Sequence, residues 1–255
     1  MNLKEKKLMS GQILKNKLGY HLSKILPRNT ILSMPLINGI KIFVRARTAD
    51  RMIFKEIFIE EIYTKHNIEI EEGDTVVDIG ANIGIFSVYA SSKVGKGRVF
   101  AFEPFKENYT ILSKQIQLNN LSNVFPHNVG VSSITGEQAL FLSPTNTGGH
   151  SIKFDQGASS VLIKTITLAQ FCNLNNIPRI DFLKIDCEGS EFEILEESPH
   201  LLNSVKKLVM ECHPYKNKSV VDMIDLLEKH HFKVIVEDCN HENIKMLYAL
   251  NQQLL

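Results

Sequence analysis

The stretch DTVVDIGANIGIF, residues 74–86, decides the fold. It opens with a short apolar run that contains β-branched residues and ends at Gly80. A run of this kind, bounded by turn residues, predicts a buried strand. Gly80 and Gly84 stand four residues apart, and apolar residues resume at roughly helical spacing from Ile85. The stretch therefore predicts a strand, a glycine turn and a helix of a doubly wound α/β fold.

The glycine turn is suited to one kind of ligand more than to another. Glycine at a strand end lets the backbone approach a ligand, and a helix start presents free N–H groups to polar atoms. Dinucleotide-binding loops follow the pattern G-x-G-x-x-G, whose second glycine makes room for a pyrophosphate. Asn82 stands at that position here. The loop therefore disfavours NAD and favours a nucleotide-type ligand without phosphate.

A second strand, Arg98–Phe102, is predicted within GRVFAFEP, and the carboxylate of Glu103 follows it directly. A carboxylate at this place can accept hydrogen bonds from both ribose hydroxyls. The pair VVDIGANIG and FAFEP resembles the S-adenosylmethionine site of class I methyltransferases. The resemblance implies that the glycine loop holds the amino-acid end of the cofactor and that Glu103 holds its ribose. The alternative is an ordinary turn that binds no cofactor. The implied cofactor residues of these two segments are Asp78, Gly80, Ala81, Asn82, Gly84, Glu103 and Pro104.

The next segments predict a third strand and a loop that shapes the acceptor pocket. The third strand lies in VFPHNVGVSS, residues 124–133, and follows a helix over residues 106–119. In class I methyltransferases the loop after this strand lies beside the adenine, which implies Asn128, Val129 and Gly130. Two strands are then predicted on either side of TNTGGHSI, residues 145–152. Loops held in this way often form binding pockets. We expect His150 of this loop to be a surface histidine rather than a catalytic base.

Polar side chains follow the fourth and fifth predicted strands. RIDFLKIDCEGSEFEIL places Asp186 and Glu188 after an apolar strand, and KKLVMECHP places Glu211 and His213 at the end of the next one. Open α/β sheets bind ligands outside the carboxyl ends of their strands. We therefore take these four side chains as the candidate catalytic residues.

Three segments resemble the FkbM family of class I methyltransferases. They are VRARTADRMIFKEIFIEEIY (44–63), FLKIDCEGSE (182–191), and the acidic residue, histidine and proline that end KKLVMECHP. The resemblance runs from about Val44 to Leu250. It implies a Rossmann-like, doubly wound, seven-stranded sheet that is mostly parallel, with one antiparallel strand. We expect a helical and strand leader over residues 1–70 and a methyltransferase domain over 71–255. In the leader we expect a helix within residues 1–25, a strand at 39–46 and a helix capped by Thr48 or Asp50.

The resemblance implies an S-adenosylmethionine-dependent methyltransferase, and we expect its acceptor to be a hydroxyl of a sugar, glycan precursor or natural product. His213 is the expected general base, because its unperturbed pKa lies near neutrality, and Glu211 is expected to orient it. Asp186 is expected beside the methionine end of the cofactor. Glu188 is expected to hold the acceptor hydroxyl or the cofactor amino group.

Three alternatives remain open. An N-methyltransferase would depend little on His213, because an amine can lose its proton after transfer. A domain of the same fold could bind the cofactor without catalysis. No metal is assigned, but the four candidate catalytic residues could instead hold a divalent ion such as Mg²⁺ or Mn²⁺ against a diol.

Composition limits the partners. Among 255 residues, 29 Lys and Arg face 28 Asp and Glu, so no net charge favours nucleic acid or an anionic membrane. The four cysteines show no metal-ligand spacing and fit a reducing compartment. No apolar run has the length of a signal peptide or a transmembrane segment. We therefore expect a cytoplasmic enzyme with a small-molecule or glycan acceptor, and a homo-oligomer remains possible.

Overall fold

The computed structural model describes residue 15 and residues 18–143, 148–154, 159–239 and 243–255. The strands are β1 (Ile31–Pro35), β2 (Lys41–Arg45), β3 (Thr75–Ile79), β4 (Arg98–Phe102), β5 (Val124–His127), β6 (Gly130–Val131), β7 (Gly136–Phe141), β8 (Ser160–Ile166), β9 (Ile180–Ile185), β10 (Val205–Cys212), β11 (Phe232–Asp238) and β12 (Lys245–Asn251). The α-helices are α1 (Leu18–Leu22), α2 (Asp50–Lys55), α3 (Ile85–Val94), α4 (Lys106–Leu118), α5 (Leu168–Leu174), α6 (Glu191–Glu197) and α7 (Val220–Lys229). A π-helical turn, Glu56–Glu60, continues α2, and a 3₁₀ turn, Pro199–Ser204, follows α6. Among these helices, none combines the length and the apolar character needed to cross a membrane.

Seven of the strands form the central sheet in the order β11-β12-β10-β9-β3-β4-β5. β12 runs antiparallel to both of its neighbours, and the pairings between β10, β9, β3, β4 and β5 are all parallel. The predicted sheet, with seven strands and one antiparallel member, is therefore confirmed. β1 and β2 form a separate antiparallel hairpin, and β6, β8 and β7 form a small third sheet.

The core lies on both faces of the central sheet. Successive residues of a strand point to opposite faces, so Val76 joins one apolar cluster and Val77 the other. The first cluster also contains residues of the leader, among them Ile42 and Phe54. The leader thus closes one face of the sheet. The boundary at residue 70 stays a prediction.

The leader differs from the prediction in its first half. β1 was not predicted, since ILSMP lacks the alternation that marks β2. Asp50 does not cap α2, because its two carboxylate oxygens accept hydrogen bonds from the Nε and Nη2 atoms of Arg45, each at 2.8 Å. Ala49 occupies the cap position without a side-chain bond, although Thr48 Oγ1 accepts from the Asp50 N–H at 3.2 Å. Most of the helix predicted within residues 1–25 lies outside the described residues.

Gly80, directly after β3, packs against the main chain that follows β9. It has φ = 77°, and a Cβ placed there would lie 1.8 Å from the main-chain oxygen of Asp186. We expect Gly80→Ala to lower the free energy of unfolding by more than the roughly 1–3 kcal/mol of backbone strain alone. The control is Gly73→Ala, which shares a positive φ of 89° but has no atom within 4 Å of the added Cβ. Urea denaturation of both variants measures the difference, and equal losses would show that the close approach carries no cost.

Candidate active site

A cavity of about 520 Å³ opens at the carboxyl ends of the central strands. It lies where the strand order reverses between β3 and β9, the place at which open α/β sheets bind ligands. Its volume falls within the range of roughly 300–1,000 Å³ that small-molecule sites occupy. Residues from β3, β4, β9 and β10 ends and from the leader line it, so a ligand there would contact both parts of the chain.

The glycine loop forms the floor of one end of the cavity. Gly80, Ala81 and Asn82 line it, and Asn82 has φ = 51°, in the left-handed region that asparagine tolerates. Gly84 and Asp78 do not line the cavity. A Cβ on Gly84 would lie 2.4 Å from Leu112 Cδ1, so this glycine serves helix packing.

Asp78 is fully buried beneath the loop and supports it. Its Oδ2 accepts a hydrogen bond from Ser87 Oγ at 2.6 Å, and its Oδ1 lies 3.1 Å from Lys184 Nζ. Lys184 donates to the main-chain oxygen of Gly80 at 2.8 Å. Asp78 therefore acts on the cavity through Lys184 and the loop.

Glu103 is a buried carboxylate at the edge of the cavity. Its Oε2 accepts from the N–H of Asn82 at 2.8 Å and its Oε1 from the N–H of Phe105 at 2.9 Å. Burial raises the pKa of Glu103 to about 7, although these two N–H groups act in the opposite direction. The bonds fix the carboxylate and leave further lone pairs for a ligand in the cavity, which Pro104 also lines.

Two of the three residues predicted beside the adenine do not line the cavity. Gly130 does line it. Asn128 Nδ2 donates to the main-chain oxygens of Glu103 and Pro104, both at 2.9 Å, and so braces that turn. Val129 packs against the second apolar cluster.

The four candidate catalytic residues do come together, and all of them line the cavity. Asp186 Oδ2 accepts a hydrogen bond from Tyr63 Oη at 3.0 Å and lies 3.8 Å from Lys184 Nζ. Glu188 Oε2 lies 3.5 Å from His213 Nε2. Glu188 has φ = 56°, a left-handed backbone that is strained for glutamate.

His213 is oriented by Glu191, which the sequence analysis did not assign. Its Nδ1 lies 3.1 Å from Glu191 Oε1, an oxygen that also accepts from the N–H groups of Cys187 and Gly189. Glu211 was the expected partner, but the described residues include no hydrogen bond between Glu211 and His213. The signal that could have indicated Glu191 was its position three residues after Glu188, although an acidic residue there is also typical of a helix start.

Mutual charge shifts the pKa of each group in this cluster. Burial and the charge of Asp186 raise the pKa of Glu188 to about 7. The charge of Asp186, followed by burial, raises the pKa of Glu211 to about 8. Burial opposes a charge on His213, but its bond to Glu191 and the surrounding carboxylates outweigh this and raise its pKa to about 10. At neutral pH the His213 side chain is therefore the positively charged imidazolium, with a proton on each ring nitrogen.

Lys184 and Tyr63 also contact this cluster, through Asp186. Neither was predicted from the sequence. Burial opposes the charge of Lys184, but Asp78 and Asp186 raise its pKa overall. A single lysine in an otherwise apolar strand was the signal that could have found it. Tyr63 lies at the end of the leader segment that resembles FkbM proteins, and burial followed by the charge of Asp186 raises its pKa.

His150 also lines the cavity, beside Phe105. Its Nδ1 accepts a hydrogen bond from the N–H of Ser143 at 3.0 Å, and its ring packs edge-on against Phe105. It is half-buried rather than a surface residue. Part of its loop, residues 144–147, lies outside the described residues.

The comparison with known families agrees with this geometry. The model of the methyltransferase FkbM domain matches residues 78–234, more than half of the chain. The chain belongs to the FkbM methyltransferase family.

Three curated proteins show the spread of the FkbM-family relatives. Hexuronic acid methyltransferase AglP of Haloferax volcanii is 32% identical over 57% of this chain and 58% of its own length. Methyltransferase sdnD of Sordaria araneosa is 29% identical over 57% of this chain and 68% of its own. The 31-O-demethyl-FK506 methyltransferase FkbM of Streptomyces tacrolimicus is 26% identical over 73% of this chain and 83% of its own. The match thus spans little more than half the length of AglP.

Proposed function

We propose that this protein is an S-adenosylmethionine-dependent O-methyltransferase that acts on a hydroxyl of a sugar, glycan precursor or natural product. One observation carries the proposal. A single cavity joins a fixed carboxylate suited to ribose, Glu103, to a cluster of acid–base groups around Glu188. Family membership supports methyl transfer, and the absence of a second glycine at Asn82 disfavours a pyrophosphate cofactor.

The residues of the cavity fit the proposed cofactor. Glu103 offers the lone pairs that two ribose hydroxyls require, and its position is fixed by two main-chain N–H groups. Ala81 and Asn82 present the glycine loop to the amino-acid end, and Asp186 lines the same cavity beside Gly80. S-adenosylmethionine supplies a methyl group on a sulfonium, which is open to in-line attack.

The protein must align the acceptor oxygen with that methyl group and take up one proton. Alignment alone can contribute up to roughly 7–11 kcal/mol, and a general base about 10²- to 10⁴-fold. We assign the role of proton acceptor to Glu188. His213 lies between Glu191 and Glu188, and both of its ring nitrogens already carry a proton. We therefore propose that His213 is the charged partner of the base Glu188 and not the base itself.

The names of two relatives support the acceptor class. Two relatives are named for a hexuronic acid and for a 31-O-demethyl compound, which favours an oxygen acceptor. The second candidate is an N-methyltransferase, because several acidic side chains form part of the cavity wall. Besides Glu103, these are Glu56, Glu60, Asp186, Glu188, Glu211, Glu237 and Asp238. Such a wall attracts a protonated amine as well as a hydroxyl.

Calorimetric titration tests the cofactor assignment. We expect S-adenosylmethionine to bind in the micromolar range, NAD not to bind, and Glu103→Ala to weaken binding by at least about tenfold, since a charge-assisted pair of hydrogen bonds is lost. Assays of methyl transfer to hydroxylated sugars and to amines then separate the two acceptor classes. The release of S-adenosylhomocysteine is the measured signal. A folded protein that binds no S-adenosylmethionine would leave a scaffold role.

Cofactor binding should depend on pH through Glu103. The ribose hydroxyls donate to the ionised carboxylate, and the pKa of about 7 means that this form is lost as pH falls through 7. The dissociation constant should therefore be about tenfold larger at pH 6 than at pH 8. Glu103→Gln is the control, because the titration of the cofactor's own amino group affects both proteins equally. An identical pH dependence in wild type and Glu103→Gln would contradict the assignment.

A further inference from the structure

We propose that Asp186, Glu211 and His213 form a binding site for one divalent transition-metal ion, with Mn²⁺ as the representative ion. One ligand atom from each of these three residues lies within 4.8 Å of the other two. The three residues come from the ends of two adjacent parallel strands, β9 and β10, and all of them line the cavity. Three protein donors around a cavity leave further coordination positions open to an exogenous ligand.

The two ring nitrogens of His213 have different partners, Glu191 at Nδ1 and Glu188 at Nε2. Glu191 is a carboxylate and accepts hydrogen bonds only, so the contact of 3.1 Å places a hydrogen on His213 Nδ1. Nε2 is then the ligating atom of the ring, and a bound ion would replace the proton that Nε2 carries in the metal-free protein. The His213 side chain is only 6% exposed, yet Nε2 makes no hydrogen bond within the described part of the chain. Glu188 Oε2 is its ion-pair contact, at 3.5 Å.

Metal-ligating histidines almost always donate their other N–H to a carboxylate or a carbonyl oxygen. Glu191 supplies that carboxylate here, and it is itself held by the N–H groups of Cys187 and Gly189, at 3.3 and 3.1 Å. Glu191 is completely buried and cannot rotate towards solvent. The supporting shell of a metal-bound histidine is thus already in place, independently of the two acidic ligands.

The two carboxylates also keep acceptor capacity that the described residues do not use. The described residues form no hydrogen bond to the side-chain carboxylate of Glu211, although Glu211 is partly buried. At Asp186, Tyr63 and Lys184 both approach Oδ2, which leaves Oδ1 without a hydrogen bond from the same residues. Neighbouring carboxylates with so few donors repel one another, and a divalent cation would compensate that repulsion.

The donor set selects among ions. Two carboxylates suit Mg²⁺, Ca²⁺ and Mn²⁺, whereas an imidazole nitrogen suits first-row transition metals. Mn²⁺ accepts both, so it should bind more tightly than Mg²⁺. Cation binding does not depend on the proposed reaction. The further step, that the ion holds hydroxyl oxygens of the acceptor near Glu188, rests on the proposed function.

Titration of the chelator-treated, full-length protein with Mn²⁺ tests the site. Binding is measured as the loss of the electron paramagnetic resonance signal of free Mn²⁺. We expect one site per chain, competed less well by Mg²⁺ than by Zn²⁺. Glu211→Gln and Asp186→Asn should each weaken Mn²⁺ binding at least about tenfold. Loss of a residue that only supports a metal ligand already lowers metal affinity by about tenfold or more, and a ligand should matter at least as much. Both changes keep the shape of the side chain, and circular dichroism verifies folding.

Glu56→Gln is the matched control, because Glu56 lines the same cavity but is not one of the three ligands. It should change Mn²⁺ affinity by less than about threefold, as expected for a carboxylate that acts only at a distance. Absence of binding at millimolar Mn²⁺, or equal losses in Glu56→Gln and Glu211→Gln, would overturn the site. Tighter binding of Mg²⁺ than of Mn²⁺ would also overturn it, because His213 could not then be a ligand. Calorimetry with S-adenosylmethionine in chelator tests the proposed function separately.

Discussion

Glu188→Gln is expected to lower kcat for a hydroxyl acceptor by about 10²- to 10⁴-fold, the usual contribution of a general base. Glutamine keeps the length of the side chain but cannot accept the proton that the hydroxyl releases. Glu188 has few other duties, since its carboxylate contacts His213 and lines the cavity. Affinity for S-adenosylmethionine should therefore stay within about threefold, because Glu103 and the glycine loop remain intact. Single-turnover kinetics and calorimetry measure the two effects separately.

The matched control for Glu188→Gln is Glu196→Gln. Glu196 lies on helix α6, where its exposed carboxylate pairs with Lys218 at 2.5 Å. An exposed pair of this kind contributes little, so kcat should not change. If Glu188→Gln retained full activity on a hydroxyl, the base would lie elsewhere in the cluster. If it retained full activity on amines alone, the second candidate function would gain support.

Strands β3 and β4 of the central sheet could be predicted from the sequence because each is a short, mostly apolar run followed by a glycine or a carboxylate. Thr75–Ile79 and Arg98–Phe102 match the predicted bounds. β1 escaped prediction because Ser33 and Pro35 interrupt its apolar pattern, and its extended shape comes from pairing with β2 across a short hairpin. Propensity and pattern describe neighbours along the chain and miss structure that tertiary contacts impose.

The site was predictable to the level of strand ends but not of side-chain partners. Parallel strands bring Asp186 and Glu211 to one edge of the sheet whatever their rotamers. The partner of His213 depends on a rotamer, and the ring turns to Glu191 rather than to Glu211. Asp78 was assigned to the cofactor by family resemblance, yet it is buried against Lys184. Within β3 it points to the same face as Val76, where Ser87 and Lys184 hold it.

Arg45 carries the connection between the leader and the cofactor loop. The guanidinium donates to Asp50 Oδ2 and Oδ1 and to Asn108 Oδ1, all at 2.8 Å. It also reaches Asn82 Oδ1 at 3.5 Å, on the glycine loop itself. The leader segment that resembles FkbM proteins thus contains both members of a buried ion pair, and this pair stands directly behind the residues that we assign to the cofactor.

Arg45→Met is expected to lower the free energy of unfolding by about 3–5 kcal/mol, because Asp50, at 0% exposure, is left as an uncompensated buried charge. Affinity for S-adenosylmethionine should fall as well, since Asn82 loses a donor. Arg179→Met is the control. Its pair with Asp181 is also short, at 2.7 Å, but the arginine is 56% exposed, so the loss should be at most about 1 kcal/mol.

The double variant Arg45→Met/Asp50→Leu separates burial of charge from loss of packing. If the cost of the single change comes from the unpaired carboxylate, removing that carboxylate should restore most of the stability, because a buried ion pair often contributes no more than apolar side chains of similar volume. The affinity for S-adenosylmethionine should not return, since no donor to Asn82 is restored. Urea denaturation and calorimetry on the same samples measure both. Recovery of affinity together with stability would mean that Arg45 supports the loop only by keeping the leader folded.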